Sequence, residues 1–106
     1  MGKPTTVLWT RPALDSLLDI IRYIQSDNPH AAQRQAGQIR TKVSRLDRFP
    51  SSGRVVPEFP SSGLREILVG NYRIIYRVVK EASRVEVLAV RHGARLLEEP
   101  PETEGK

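Results

Sequence analysis

Between Leu64 and Val79 the chain sets β-branched and aromatic residues on either side of a single Gly70-Asn71 pair. Two hydrophobic runs joined by such a pair specify a tight antiparallel hairpin, because the shortest turns need positive φ at both central residues. The turn also sets the register: Val69 falls opposite Tyr72. Arg65, Ile67, Val69, Tyr72, Ile74 and Tyr76 then share one face, the one expected to lie under helices. Leu64, Glu66, Leu68, Arg73, Ile75 and Arg77 share the other. Lys80-Glu81-Ala82-Ser83 makes a further turn into a run from Arg84 to Arg91, which completes a three-stranded meander. Guanidinium groups are costly to bury and suit phosphate or carboxylate partners, so the sheet is the first place to look for function.

The first half of the chain has the other periodicity. Thr5 to Trp9 reads as a short strand, and Thr10 can cap a helix that tolerates Pro12 in its first turn. Leu14, Leu17, Leu18, Ile21 and Ile24 recur at helical spacing and define its expected buried stripe. Asn28 and Pro29 close that helix and start a second, giving a helical hairpin. In the second helix Ala32, Ala36, Ile39, Val43 and Leu46 repeat every four then three residues, with Arg34, Arg40, Lys42, Arg45 and Arg48 elsewhere around it. Phe49 to Gly63, rich in proline, serine and glycine, reads as one ordered loop with a brief extended piece at Arg54-Val55-Val56. The expected order is β-α-α-β-β-β: an α+β domain with a helical hairpin on one face of a small, largely antiparallel sheet. The opposite face, which carries Arg73 and Arg77, is expected to be partly open.

At 106 residues the chain has room for one core. Residues 1–97 are read as a single domain and 98–106 as a frayed acidic tail. That tail carries Glu98, Glu99, Glu102 and Glu104 against Lys106, a net of −3, so the preceding residues carry +8. Such a body attracts polyanions or an acidic partner. Thirteen of the seventeen cations are arginine, which favours bidentate contacts. Without cysteine there is neither disulfide framework nor thiolate metal site, and two distant histidines offer no ligand set, so no metal and no cofactor is expected. The apolar stretch Val7-Leu8-Trp9 is far too short for a signal sequence or a membrane span, and a cytoplasmic location is expected.

Several stretches fall in a definite order and spacing: Trp9-Thr10 before Ala13, Tyr23-Ile24 followed by Asp27-Asn28-Pro29, and Phe49-Pro50-Ser51-Ser52-Gly53-Arg54 with Pro57-Glu58. Leu64-Arg65-Glu66, Tyr72-Arg73-Ile74-Ile75-Tyr76-Arg77 and His92-Gly93-Ala94-Arg95 continue the series. Together, over residues 7 to about 97, they resemble the RelE/ParE superfamily of bacterial type II toxins. The resemblance implies a growth-inhibiting toxin neutralised by a cognate antitoxin, with operator DNA contacted only through that antitoxin. It leaves two targets. ParE-like members poison DNA gyrase, which is the leading expectation here. RelE-like members cleave mRNA on the ribosome. A third expectation is an inactive member that retains only antitoxin binding.

Under the nuclease reading, Arg73 and Arg95 match by position two arginines placed around the scissile phosphate. His92 would supply proton transfer, and Arg65 falls near the family's lysine-bearing strand, although the hairpin register turns it away from Arg73 unless a bulge intervenes. The family's C-terminal tyrosine and lysine cluster have no counterpart, since Glu98-Glu99-Pro100-Pro101 stands there. Under the binding reading, Arg54, Arg65, Arg73, Arg77, Arg91 and Arg95 are the candidate partner contacts. The bland alternatives are that Arg73 and Arg77 pair with Glu66 across the hairpin, that His92 caps a strand end, and that Tyr72 and Tyr76 are core.

Overall fold

The computed structural model describes residues 5–101; the readings of Met1 to Pro4 and of 102–106, including Glu102, Glu104 and Lys106, lie outside the described residues. In chain order the elements are β1 (Thr6–Trp9), α1 (Arg11–Asp27), α2 (Pro29–Ser44), a 3-10 turn, β2 (Arg54–Val55), β3 (Arg65–Val69), β4 (Tyr72–Val79), a second 3-10 turn, and β5 (Arg84–His92). The expected α+β architecture is present, and its sheet has five strands in the order β1-β5-β4-β3-β2. β1 runs parallel to β5, and the other pairs are antiparallel.

The helix boundaries follow from capping. The Thr10 hydroxyl accepts from the Ala13 amide and donates to the Val87 carbonyl, so one side chain both starts α1 and ties it to β5. Asn28 accepts from the Ala31 amide with Pro29 in the first position of α2, as its sequence indicates. The stripe of α1 is rotated from the expected one. Ala13 is buried and Leu17 and Ile20 pack against the core, whereas Leu14 is 42% and Leu18 48% exposed. Ala13 and Ser16 face the strand because a helix crossing at close range needs small side chains there, and Leu14 and Leu18 are turned outward.

The β3–β4 hairpin has the expected register from Val69 opposite Tyr72 to Arg65 opposite Tyr76. Only Gly70 of its turn has positive φ, at 58°, so the turn asks for glycine at one centre rather than two. The irregularity lies instead between β4 and β5: Ile75 pairs with Ala89 and Tyr76 with Val87, leaving Leu88 as an extra residue. This bulge turns Leu88 and Ala89 together onto the face away from the helices.

That face is not open. Under the helices lies a core of Ile39, Val43, Leu46, Ile74, Tyr76, Val85, Val87 and Val90, with Trp9 and Tyr72 packed at its margin. On the opposite side Val56 and Leu64 join Ile75, Leu88 and Ala89 in a second cluster, with Phe59 and Leu97 against it. The loop before β3 and the segment after β5 therefore cover the sheet face that was expected to be exposed. Proline-rich chain can do this because its backbone is tied by local turns, Ser62 amide to Phe59 carbonyl and Phe59 amide to Val56 carbonyl among them.

Candidate functional site

Arg73 lies on the loop-covered face and is only 3% exposed. Its Nη2 stands 2.6 Å from Glu58 Oε1 and its Nη1 2.8 Å from Glu58 Oε2, while Nε donates to Glu66 Oε1 at 2.7 Å. Every guanidinium nitrogen therefore has a carboxylate partner. The Glu66 carboxylate is completed by Arg54, whose Nε lies 2.6 Å from Oε2. Arg77 pairs with Glu86, its cross-strand neighbour, and Arg84 takes the other Glu86 oxygen. The pairing of Arg73 with Glu66 is the one the hairpin register allowed; Arg77 reaches the carboxylate on β5 instead.

The Arg73–Glu58 pair also fastens the chain after β5. Arg73 Nη1 donates to the Arg95 carbonyl at 3.2 Å, and Glu58 Oε2 accepts from the Leu97 amide at 3.1 Å. The bond from Arg73 holds the Glu58 carboxyl down to about 2, well below the usual carboxylate range, with the Leu97 amide adding to it against the opposing effect of burial. The same carboxylate raises the Arg73 guanidinium above its ordinary value. A carboxyl whose folded pKa is depressed stabilises the fold above its unfolded pKa, and that stabilisation is lost as pH falls through the folded value. Urea stability should therefore decline between about pH 4.5 and 2, and Glu58→Gln should flatten that decline while lowering stability at neutral pH. A variant with the same pH profile as the parent would show that Glu58 contributes nothing to it.

Arg65 stays on the helix-side face, because the β3–β4 pairing runs without a bulge; its Nη1 donates to the Gly53 carbonyl. His92 shares that side with Tyr72, the two rings meeting edge to face at 5.6 Å, and its Nδ1 accepts from the Ala94 amide. Hence the residues proposed for phosphodiester chemistry do not converge: Arg73 faces one side of the sheet, His92 the other.

Arg91, His92 and Arg95 do come together, in a groove of about 770 Å3. Its origin is topological. β1 pairs with β5 only as far as Trp9 opposite Val87, so the outer edge of β5 beyond that point has no neighbouring strand. α1 crosses there instead, and the Ser16 hydroxyl accepts from the orphaned Val90 amide at 3.2 Å. Asp19, Ile20 and Tyr23 of α1 form one wall, and Arg95 to Glu99 the other. Tyr23 is 79% exposed and Leu96 77%, so large apolar surface flanks the unpaired strand edge. The groove is mixed in charge, with Asp19, Glu98 and Glu99 beside Arg91 and Arg95. Asp19 and Ser16 carry no sequence signal of a site, and Tyr23 stands out only as part of the family pattern; the signal that would have found them is the short length of β1 relative to β5.

Among the described residues no cluster of histidine and acidic side chains could hold a metal ion, and no helix is long and apolar enough to cross a membrane.

Comparison with known proteins gives a consistent family. A family model described as the ParE toxin of type II toxin-antitoxin system, parDE, matches residues 7–97. Toxin RelE2 of Caulobacter vibrioides is 36% identical over 90 residues, covering 85% of this chain and 97% of that protein. Putative toxin Y4kP of Sinorhizobium fredii is 39% identical over 88 residues, covering 81% and 85%. Among solved structures, the chromosomal ParDE system of P. aeruginosa superposes with a TM-score of 0.70 at 19% identity, covering 83% of this chain and 95% of that one. The RelBE2 toxin-antitoxin complex of Mycobacterium tuberculosis gives a TM-score of 0.58 at 25% identity, covering 85% and 99%.

Proposed function

Because this chain belongs to the ParE toxin family of type II toxin-antitoxin systems, we propose that it arrests growth by binding a macromolecular target, DNA gyrase, and not by cleaving RNA. A cognate antitoxin holds it inactive. The observation that carries this reading is the saturation of Arg73 by Glu58 and Glu66. A ribonuclease working through the 2′-hydroxyl needs unpaired cations around a pentacoordinate phosphate and an acid and base in line with it. Here the arginine in that position is neutralised twice over, and the accessible Arg95 shares its groove with Glu98 and Glu99. An incoming phosphate would displace one carboxylate and meet two more.

The groove at the end of β5 suits an extended protein segment. Its strand edge offers backbone pairing and Tyr23 and Leu96 offer apolar anchors, while Asp19, Glu98 and Glu99 offset Arg91 and Arg95, so strand pairing and apolar contact favour the segment there more than charge does. We assign the antitoxin to it, with an acidic C-terminal half matched to the +8 body, and residues 1–97 as the unit that binds. Of the arginines named as partner contacts, Arg91 and Arg95 carry this role; Arg54, Arg65, Arg73 and Arg77 hold the fold together. The place of action is the cytoplasm, where gyrase and a co-expressed antitoxin are found.

Inducing the toxin in cells while following supercoiling, gyrase-linked DNA breaks and transcript ends tests the reading. Expected are trapped breaks and a DNA-damage response with intact mRNA. Codon-positioned cuts that disappear in Arg95→Ala would instead establish the ribosome-dependent nuclease, and absence of any growth effect would establish an inactive member that binds only its antitoxin.

A further inference from the structure

The cations of the sheet and those of α2 differ in how they are engaged. Those of the sheet are engaged: Arg54, Arg73, Arg77 and Arg84 pair with carboxylates, and Arg65 bonds a carbonyl. Those of α2 and the turn after it are not. Between Asn28 and Leu46 the sequence has no Asp or Glu, yet it carries Arg34, Arg40, Lys42 and Arg45, with Arg48 just beyond. Arg34, Lys42, Arg45 and Arg48 are all exposed, and none of them appears in any ion pair or side-chain hydrogen bond among the described residues. With Ala32, Ile39 and Val43 buried, Arg34, Gln38, Thr41 and Arg45 recur along the outer side of the helix.

A second observation falls on the same face. Gly37 lies in the middle of α2, where glycine destabilises a helix by about 1 kcal/mol relative to alanine. Nothing inside the fold requires it, because a Cβ there would meet no atom within 4 Å. What it leaves is a shallow hollow of about 400 Å3 lined by Gln33, Arg34, Gly37, Gln38, Thr41 and Lys42. At Lys42 this hollow borders a second one of different character, lined by Phe49, Glu66, Ile67 and Leu68 as well as Arg45 and Arg54, which is not part of the face described. A glycine without an internal reason, ringed by unpaired cations and neutral donors, is what close approach of a charged backbone to a helix demands.

We infer that the outer face of α2, centred on Gly37 and flanked by Arg34, Lys42 and Arg45, is a contact surface for the phosphate backbone of duplex DNA. The chemistry selects that partner over the others. An acidic protein segment would need apolar anchors, and the outer face of α2 presents only cations, glutamines and a threonine. Single-stranded nucleic acid is held by stacked aromatics, of which this face has none. The major groove of duplex RNA is too deep and narrow for a helix to enter, whereas the B-form major groove, about 12 Å wide, accepts one with phosphates along both of its edges. Arg34 and Arg45 are eleven positions apart, about 16 Å along the axis, a span over which a duplex presents several phosphates. The contact gives affinity without sequence choice, so it leaves recognition of the operator to the antitoxin, and it does not depend on which target the toxin poisons.

Fluorescence anisotropy of the full chain with a labelled mixed-sequence DNA duplex, titrated at several salt concentrations, tests the surface. Replacing two phosphate-binding arginines, in Arg34→Ala/Arg45→Ala, should reduce the slope of log affinity against log salt by about 1.8. Gly37→Leu should weaken binding about tenfold, the scale of one lost good contact, while the urea midpoint holds or rises because leucine is the better helix former. The charge-matched control Arg22→Ala/Lys80→Ala should leave the slope nearly unchanged. Equal losses in the two double variants would show a net-charge effect and overturn the assignment. So would duplex binding that Gly37→Leu does not alter, or tighter binding to duplex RNA or single strands. A double variant that loses affinity only for an acidic protein partner would overturn it as well.

Discussion

Arg73→Ala is expected to lower unfolding stability by about 3–5 kcal/mol, the range for removing one partner from a buried, hydrogen-bonded ion pair. Glu66 would keep Arg54, but Glu58 would lose both bonds from Arg73, and the Arg95 carbonyl would lose its donor. In a domain whose total stability is about 5–15 kcal/mol, that is a large share. The urea midpoint is the measurement. Arg73→Met/Glu58→Leu should be less damaging than Arg73→Ala alone, because apolar replacement of both members removes the stranded charge along with its partner while Glu66 keeps Arg54. The result also bears on function, since a catalytic arginine is ordinarily dispensable for folding. A midpoint unchanged in Arg73→Ala would mean that the guanidinium is available to a ligand, and the proposal of a non-cleaving toxin would lose its support.

Gly53→Ala should destabilise by about 3 kcal/mol, at the upper end of the range for forcing extra atoms into a packed interior. The added Cβ would lie 2.6 Å from both the Glu66 carbonyl oxygen and the Tyr76 hydroxyl. Neither can withdraw. The carbonyl belongs to β3, and the hydroxyl accepts from the Gly53 amide at 2.9 Å while donating to the Pro50 carbonyl at 2.8 Å. Tyr76 is fully buried, and that burial raises its hydroxyl's pKa, so the phenol stays neutral and able to donate. The loop from Pro50 to Gly53 is thereby latched onto β4, and it starts the chain that covers the second core. Tyr76→Phe, which leaves the Gly53 amide and Pro50 carbonyl without partners, should destabilise by about 1–3 kcal/mol. If Gly53→Ala melted with the parent, the close approach at this latch would be wrong.

Local signals read well wherever a single residue decides the backbone. Thr10, Asn28 and Pro29 mark helix starts because capping is a matter of one side chain and the next three amides. Gly70-Asn71 sets the hairpin because a two-residue turn admits only one pairing. The buried stripe of α1 was less legible. Counting apolar residues favoured Leu14 and Leu18, but the helix presents Ala13, Ser16, Leu17 and Ile20 to β5. Which of two overlapping stripes is buried depends on how closely the helix crosses the sheet, and periodicity holds no information about that distance.

The candidate site shows the same division. Arginines alternating with β-branched residues were recognisable at once, and their number on the strands is a property of the sequence alone. Whether each is available is not, because it depends on carboxylates brought from elsewhere: Glu58 from a loop fifteen positions away, Glu86 from the next strand. The unpaired cations of α2 were visible as a helix without acidic residues, yet only the fold shows that, among the described residues, no carboxylate from another element reaches them. By itself the sequence determined the order of elements, their caps, the hairpin register and the sign of the charge, all set by neighbours close along the chain. The tertiary structure alone decided which sheet face is covered, where β5 is left unpaired and which cations are neutralised, because a charge is cancelled by what lies beside it in space.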